Sequence, residues 1–175
     1  MELRSTFKNL APLSERMRPR TLEEFMGQEH IVSSSSSLFN LVRQGLLGST
    51  IFYGPPGTGK TTLASIIALN SGADFVKLNA VSSGVSDAKE IISKAKDNLK
   101  YYGKKTYLLL DECHRWNKAQ SDSVLEAIEK GYIIFIGSTT ENPYTSMTRA
   151  IVSRCKIYEF KPLSRENVKS LLKKA

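Results

Sequence analysis

From residue 49 onward, the chain alternates short apolar runs with longer amphipathic stretches. Five apolar runs predict β-strands over residues 49–53, 75–79, 107–110, 133–137 and 157–160. The intervening stretches predict helices over residues 60–70, 86–99 and 119–130, a short helix over 146–152 and a last helix that Ser164 caps. Because the runs are apolar on both faces and alternate with helices, the pattern predicts an α/β fold with a five-stranded parallel sheet and helices on both faces.

The first 48 residues have a weaker pattern. Residues 1–30 mix charges with few periodic apolar positions, which predicts an extended arm. A run of five serines over residues 33–37 has poor helix propensity, but its last members can cap a short helix over residues 38–44 that ends at Gly45. We interpret the run as a loop or a helix start, with a modification site as the less favoured alternative.

The composition is that of an ordinary globular protein. Of the 175 residues, 41% are hydrophobic and 24% are charged. No apolar run approaches the roughly 18 residues that a membrane span needs, and the charged N-terminal segment lacks the apolar core of a secretory signal. Two cysteines cannot form a disulfide framework, so we expect a reducing, cytoplasmic setting.

The positive charge of the chain is unevenly distributed. The formal net charge is +8, and the excess lies in residues 1–20, 89–105 and 149–175, whereas the stretches between them are slightly acidic. Such a blocky distribution is typical of proteins that bind nucleic acids or polyphosphates. Solvated helix faces would give the same pattern, so the charge alone leaves both interpretations open.

Residues 54–61 read GPPGTGKT and match the phosphate-binding pattern G-x-x-x-x-G-K-[ST] in full. The loop follows a predicted strand and opens a predicted helix, where backbone amides and the positive helix end bind anions. We predict that Lys60 reaches the β- and γ-phosphates of a nucleotide and that the Thr61 hydroxyl holds Mg²⁺. The loop residues predicted to bind nucleotide are Gly54, Pro55, Pro56, Gly57, Thr58, Gly59, Lys60, Thr61 and Thr62.

Two carboxylates, Asp111 and Glu112, follow the apolar run over residues 107–110. Ligands of open α/β sheets bind at this end of the strands. Asp111 therefore suits the Mg²⁺ shell, directly or through water, and Glu112 suits a base that polarises the attacking water. Simple turn residues are the alternative, but the phosphate-binding loop upstream favours catalysis.

Residues 111–114, DECH, also match a helicase box of the DEAD/H type. We disfavour that interpretation because the phosphate-binding loop differs in style and the chain has no room for a second motor domain. His114 and Cys113 lack the further cysteines and histidines of a metal cluster, so Cys113 is interpreted as a buried apolar residue.

Two later segments are candidates for contact with the γ-phosphate. Residues 137–143, GSTTENP, follow an apolar run, and a neutral polar side chain there can orient water, although a proline-terminated turn explains the segment equally well. Arg154 is either a solvated charge or an arginine finger for the nucleotide of a neighbouring subunit. Such a finger is worth about 10³–10⁵ in rate, but the residues alone favour the solvated charge.

In their order along the chain, these motifs resemble those of AAA+ ATPases, and more closely their clamp-loader branch. The resemblance is closer still to the replication-associated recombination protein A family, which includes the Werner-helicase-interacting ATPase. It covers about residues 12–163. The segments that carry it are 13–19 (LSERMRP), 27–30 (GQEH), 79–85 (NAVSSGV), 114–120 (HRWNKAQ) and 139–143 (TTENP).

The resemblance implies a P-loop NTPase (AAA+) core that takes ATP and Mg²⁺, with Thr61 and Asp111 as the metal ligands. It also implies that Asn79 couples Glu112 to bound DNA and that Arg154 acts in trans. The implied catalytic residues are Glu112, Asp111, Lys60, Arg154 and the sensor-1 candidates Thr140 and Asn142. The residues implied to frame the adenine pocket are Arg18, Pro19, Gln28, Ile31 and Val32.

The resemblance also predicts a division of the chain. Residues 1–30 are expected to form the arm and adenine-pocket segment, residues 31–163 the AAA+ nucleotide-binding core, and residues 164–175 the start of a truncated helical lid. The sequence departs from the family at the serine run, at Trp116, where Phe is usual, and in lacking the lid with its second arginine sensor. We therefore expect a fragment that binds nucleotide and hydrolyses it weakly.

The function implied is that of an ATP-driven homo-oligomeric motor in replication-fork maintenance, recombination and repair. Its DNA substrate would be a fork, gap or end, recognised by structure, with a single-strand-binding protein or a replisome component as partner and no membrane. It would be nucleoid-associated in a bacterium and nuclear in a eukaryote. A clamp-loader subunit and a non-hydrolysing nucleotide-gated scaffold are the alternatives.

The expected DNA contact is the basic face of the helix predicted over residues 86–99, although an ordinary solvated helix face explains these lysines equally well. The residues are Lys89, Lys94, Lys96 and Lys100.

Overall fold

One parallel sheet organises the protein. The computed structural model describes residues 12–174, apart from the side chains of residues 14 and 15. The strands of the described part are β1 (Thr50–Tyr53), β2 (Asp74–Asn79), β3 (Thr106–Asp111), β4 (Ile134–Thr139) and β5 (Lys156–Glu159). They pair in the order β2-β3-β4-β1-β5, and every pairing is parallel. This arrangement confirms the five-stranded parallel sheet that the apolar runs predict.

Helices pack on both faces of the sheet. The helices described are α1 (Leu13–Arg16), α2 (Glu29–Val32), α3 (Ser37–Arg43), α4 (Lys60–Ser71), α5 (Val85–Tyr102), α6 (Lys118–Glu129), α7 (Pro143–Ser146), α8 (Arg149–Val152) and α9 (Arg165–Lys174), with a 3-10 turn at Cys113–Arg115. None of these helices is long and apolar enough to cross a membrane.

Two hydrophobic cores lie on opposite faces of the sheet because successive strand residues point in opposite directions. Leu109 belongs to the core that contains the apolar residues of α3 and α4. Its neighbours Leu108 and Leu110 belong to the core that contains those of α5 and α6. Burial on both faces explains why the strands lack polar alternation, and it fixes the sheet edge from which the functional loops emerge.

Serine side chains begin two of the helices, as the sequence predicts. The Ser36 hydroxyl accepts a hydrogen bond from the Phe39 amide at 3.1 Å, so the end of the serine run caps α3. The Ser164 hydroxyl accepts one from the Asn167 amide at 3.1 Å at the start of α9. Both contacts satisfy amides that the first turn of a helix leaves without a partner.

Two predictions about local structure are wrong. Within the described part of the arm, α1 and α2 form helical turns in place of an extended chain; residues 1–11 lie outside the described residues. The single helix predicted over 146–152 is two short helices, α7 and α8, because Met147 has extended backbone angles between them. Asn142 begins α7 by accepting a hydrogen bond from the Tyr144 amide at 3.0 Å, with Pro143 in the first turn.

The carboxyl ends of the central strands meet at one edge of the sheet. Tyr53 at the end of β1 is in register with Thr139 of β4, and Asp111 of β3 is in register with Ser138. The Gly54 amide, directly after β1, donates to the carbonyl of Thr139 at 3.1 Å. This edge therefore brings together the phosphate-binding loop, the acidic pair and the polar cluster after β4.

Candidate nucleotide-binding site

The phosphate-binding loop connects β1 to α4 and closes around the side chain of Lys60. Gly57 and Gly59 have positive φ angles of 71° and 99°, which favour glycine. The Lys60 ammonium donates to the carbonyls of Gly54 and Pro55, at 2.7 Å each. The Thr58 hydroxyl donates to the Pro55 carbonyl at 2.8 Å and tightens the same turn.

Lys60 is a buried charge that the loop and two carboxylates stabilise. The residue is 8% exposed. Burial lowers the pKa of its ammonium, whereas the negative charges of Glu112 and Asp111 raise that pKa and so offset part of the effect. An anionic phosphate at the loop would add hydrogen-bond acceptors and negative charge for this ammonium.

A cleft of about 420 Å³ lies between the loop and the ends of β3 and β4. Its polar wall is formed by Asp111, Glu112, Ser138 and Thr140, and its floor by residues 56–62. Its apolar wall is formed by Pro19, Phe25, Met26, Leu163 and Leu171. An apolar side beside an anion-binding loop suits a nucleotide, which has a flat base at one end and phosphates at the other.

The residues predicted for the adenine pocket lie in different surroundings. Pro19 lines the cleft, but Ile31 and Val32 are buried in a hydrophobic core, and Arg18 is not among the residues that line the cleft. Gln28 is 4% exposed, and its side chain binds the backbone of Lys161. Its amide nitrogen donates to the Lys161 carbonyl at 2.7 Å, and its amide oxygen accepts from the Lys161 amide at 2.8 Å.

Phe25 and Met26, which the sequence analysis did not single out, supply apolar surface to the cleft. The Phe25 ring packs against the loop itself, because a Cβ built on Gly59 would lie 2.8 Å from its Cζ atom. The sequence feature that could have indicated these two cleft residues is their position as an apolar pair directly before Gly27, in an otherwise polar arm.

The two carboxylates of the cleft have different surroundings. Asp111 lies 3.3 Å from the ammonium of Lys77, which belongs to the neighbouring strand β2. Glu112 has a left-handed backbone with φ at 54°, an uncommon conformation for a residue other than glycine. The chain turns at Glu112 as it leaves β3, and both carboxylates face the phosphate-binding loop across the cleft.

The end of β4 holds the sensor-1 candidates. Thr140 lines the cleft. Asn142 does not line it, and its side chain caps α7. The preceding residue, Thr139, is buried, and its hydroxyl lies 2.8 Å from Nδ1 of His114.

Two other predicted functional residues lie outside the cleft lining. The guanidinium of Arg154 contacts Glu129 and donates to the Ala150 carbonyl at 2.7 Å. Asn79 accepts a hydrogen bond from the Val81 amide at 2.9 Å and forms a turn after β2. The guanidinium of Arg154 therefore does not reach the cleft of its own chain in this arrangement.

Thr61 and Asp111, the predicted Mg²⁺ ligands, both line the cleft. Their hydroxyl and carboxylate oxygens are the hard donors that Mg²⁺ prefers. Among the described residues, no group of three or more His, Cys, Asp or Glu side chains forms a metal cluster. This donor set fits an ion that keeps several waters and binds through one or two protein oxygens together with substrate phosphates.

Comparison with known proteins identifies the fold. The model of the Holliday junction DNA helicase RuvB P-loop domain matches residues 17–150, which include the whole loop and the acidic pair. The chain belongs to this family of P-loop domains. The structure of the Thermotoga maritima RuvB Holliday junction branch migration motor superposes with a TM-score of 0.75 at 28% identity, covering 90% of this chain and 53% of that one. The predicted AAA+ core is thereby confirmed.

Two sequence relatives show which kind of AAA+ ATPase the chain is similar to. The chain is 49% identical over 167 residues to the ATPase WRNIP1 of Dictyostelium discoideum, covering 95% of this chain and 19% of that protein. It is 44% identical over 164 residues to replication-associated recombination protein A of Escherichia coli, covering 94% of this chain and 36% of that protein. The family resemblance stated from the motifs is confirmed, and the chain spans well under half the length of these curated relatives.

Proposed function

We propose that the chain is the ATP-binding and ATP-hydrolysing core of a DNA-dependent ATPase that acts in replication-fork maintenance, recombination and repair. The observation that carries the proposal is the meeting of Lys60, Asp111, Glu112 and Thr140 at one cleft. Each of these residue types has a role in phosphoryl transfer, and their common edge provides the positioning on which that chemistry depends.

The chain's own residues divide the work of hydrolysis. The loop amides and Lys60 bind the β- and γ-phosphates, and the apolar wall around Phe25 receives the base. Glu112 accepts the proton of the attacking water, and Thr140 orients that water against the γ-phosphate. Thr61 and Asp111 would hold Mg²⁺, whose chemistry is to neutralise charge on the β- and γ-phosphate oxygens.

Arg154 completes the site of a neighbouring copy in this proposal. Its guanidinium lies outside its own cleft and is held by Glu129. A guanidinium at the γ-phosphate stabilises the charge of the transition state, which makes a homo-oligomer the active form. In the proposed division, residues 1–30 supply the arm and part of the cleft, residues 31–163 the core, and residues 164–175 the start of a lid.

DNA is the proposed partner, contacted at the basic face of α5. Lys96 lies 4.9 Å from the ring of Tyr132 and Lys100 lies 5.1 Å from that of Tyr101, while Lys94 pairs with Glu90. Tyr101 and Tyr102 are 66% and 79% exposed at the end of the same helix. Cationic side chains bind phosphates and exposed rings stack on unpaired bases, so this surface suits forks, gaps or ends with single-stranded character.

The relatives' names support the context of the proposal. The Escherichia coli relative is called a replication-associated recombination protein, and the matching structure is called a Holliday junction branch migration motor. We accordingly propose a single-strand-binding protein or a replisome component as protein partner, and a location at the bacterial nucleoid in the cytoplasm or in a eukaryotic nucleus.

Binding and turnover by matched variants test the proposal. ATP affinity is measured with a fluorescent ATP analogue and Mg²⁺, and phosphate release with single-stranded, duplex and forked DNA. Lys60→Ala should weaken binding about 10- to 100-fold, because it removes a charged hydrogen-bond donor. Glu112→Gln should retain binding and lose turnover.

A surface lysine directly after α6 provides the control. Lys130→Ala also removes an ammonium that is paired with a carboxylate, that of Glu126, but it lies outside the cleft. It should leave ATP affinity and turnover unchanged. Turnover by Glu112→Gln equal to that of the unmodified chain would favour a non-hydrolysing scaffold, and the loading of a sliding clamp in a reconstituted assay would favour a clamp-loader subunit.

A further inference from the structure

His114 is a buried side chain placed between the proposed base and the end of β4. Its side chain is 5% exposed. Nδ1 lies 2.8 Å from the hydroxyl of Thr139, the residue before the sensor candidate Thr140. Nε2 faces two carboxylates, 3.6 Å from Oε2 of Glu112 and 3.5 Å from Oε1 of Glu141. The imidazole thus lies between β4 and the proposed base.

The hydrogen bonds around Thr139 indicate which ring nitrogen carries the hydrogen of a neutral imidazole. The Thr139 hydroxyl oxygen already accepts from the Glu141 amide at 3.0 Å, so its own hydrogen is available to donate. Nδ1 of His114 is the near acceptor at 2.8 Å, whereas the Glu141 carbonyl lies at 3.5 Å. With Nδ1 as acceptor, the hydrogen lies on Nε2 and faces the carboxylates.

We propose that His114 is a positioning residue, which aligns the carboxylate of Glu112 with the attacking water and fixes that alignment to the end of β4 through Thr139. The inference rests on the proposed hydrolysis and deepens it. The Glu112 side chain is partly exposed on a left-handed residue, and the buried imidazole of His114 lies 3.6 Å from its carboxylate. Glu141 faces the same nitrogen and competes for its hydrogen.

Two amide substitutions distinguish the contact made by Nδ1 of the imidazole from the contact made by Nε2. In His114→Gln the terminal amide nitrogen lies near the position of Nε2, so an N–H group that faces Glu112 is retained. In His114→Asn the shorter amide lies near the position of Nδ1, so a partner for Thr139 is retained and the N–H group that faces Glu112 is lost. A positioning role predicts that Gln preserves turnover better than Asn while the melting temperatures stay similar; a role limited to holding Thr139 predicts that Asn preserves turnover better. A role limited to packing predicts that any loss of turnover in the smaller Asn variant comes with a lower melting temperature.

The test compares kcat and KM for ATP hydrolysis in the presence of forked DNA. His114→Asn should lower kcat about 10- to 100-fold with KM and the melting temperature little changed, because a misplaced catalytic group costs rate more than binding. His114→Gln should stay within about threefold of the unmodified protein. His30→Asn is the matched control, since that histidine contacts the Glu159 carbonyl at 2.8 Å on another part of the surface.

The outcomes distinguish this inference from the proposal on which it rests. Equal kcat in all variants, or an Asn variant more active than the Gln variant, would overturn the role of His114 and leave the proposed ATPase intact. No turnover by the unmodified protein, under conditions where it binds ATP and DNA, would overturn the proposed function and this inference with it.

Discussion

Arg154 and Glu129 form a salt bridge in which two guanidinium nitrogens contact one carboxylate oxygen. Nε donates to Oε1 of Glu129 at 2.7 Å, and Nη2 contacts the same oxygen. Nη1 donates to the Ala150 carbonyl at 2.7 Å. The guanidinium is therefore fixed to α6 and α8, although the exposure of both side chains limits the contribution of the pair to stability to about 1 kcal/mol.

The first prediction concerns this arginine. Arg154→Ala should change the free energy of unfolding by less than about 1 kcal/mol, yet lower ATP turnover by about 10³–10⁵ if the guanidinium acts on a neighbour's nucleotide. A mixture of Arg154→Ala with Glu112→Gln should recover part of the activity, because each supplies what the other lacks. Arg149→Ala, at the start of α8, is the control; equal losses in both arginine variants, or no recovery on mixing, would contradict action in trans.

Gly54 is predicted to tolerate no side chain. Its φ angle is 145°, and a Cβ there would lie 2.2 Å from the carbonyl oxygen of Phe160. Gly54→Ala should therefore destabilise the protein by about 2–4 kcal/mol through backbone strain and overpacking, measured by urea unfolding. Gly48→Ala is the control, since a Cβ there meets nothing within 4 Å. Similar unfolding midpoints for both variants would show that the strand end moves aside.

Lys77 is predicted to compete with Mg²⁺ for Asp111. Its ammonium lies 3.3 Å from the carboxylate and is about half exposed, so the pair is weak and the competition modest. Lys77→Met should lower the Mg²⁺ concentration needed for half-maximal ATP binding about two- to fivefold. Lys94→Met removes an ammonium paired with Glu90 away from the cleft and should have no effect. A higher Mg²⁺ requirement in Lys77→Met would mean that Lys77 assists nucleotide binding.

The two thiols are predicted to make the fold sensitive to alkali. Burial raises the pKa of Cys155 to about 12 from an ordinary value of 9.0 and raises the pKa of Cys113 as well. The thiols stay neutral in the folded protein while those of the unfolded chain ionise, so stability is retained below pH 9 and declines between about pH 9 and 12. At pH 10 each thiol should cost about 1.4 kcal/mol.

Urea unfolding at pH 7.5 and pH 10 measures this loss. Cys155→Ala should reduce the difference in the free energy of unfolding between the two pH values by the contribution of one thiol. The native protein should also react slowly with a thiol reagent until it is unfolded. Rapid reaction of both thiols in the native state at pH 8 would contradict their burial.

The sheet and the phosphate end of the cleft could be predicted from the sequence because both depend on local patterns. A run that is apolar on both faces has few places to lie except inside a parallel sheet, and the spacing of Gly54, Gly59 and Lys60 specifies backbone geometry directly. Once the strands are parallel, the residues that follow β1, β3 and β4 must share an edge. Asp111 and Glu112 therefore meet the loop without any long-range information.

The base end of the cleft could not be predicted in the same way. Phe25-Met26 and Ile31-Val32 are both apolar pairs in the first segment, and which pair faces the cleft depends on the turn between them. Gly27 and Gln28 have positive φ angles of 81° and 61°, so the chain changes direction there. No periodicity of apolar residues reports such a turn, and the partner of the Gln28 side chain, Lys161, lies 133 positions later in the sequence.

The contacts of individual polar side chains were also beyond the sequence. Asn142 resembles a sensor by its position after β4, but its side chain caps α7. A local hydrogen bond of this kind competes with a contact between the same side chain and a ligand in the cleft. The approach of Lys77 to Asp111 depends on strand register, which places Lys77 opposite Leu109. Register follows from the packing of the whole sheet.

The two hydrogen bonds between Gln28 and Lys161 join the segment before α2 to the segment after β5. Gly27 fits equally closely there, since a Cβ on it would lie 2.5 Å from a methyl carbon of Leu163. Phe25 lies on one of these segments, and Leu171 of α9 follows the other. These contacts therefore tie the segment that carries Phe25 to the segment that leads into α9, so parts of the chain that lie 133 positions apart in sequence form one wall of the cleft.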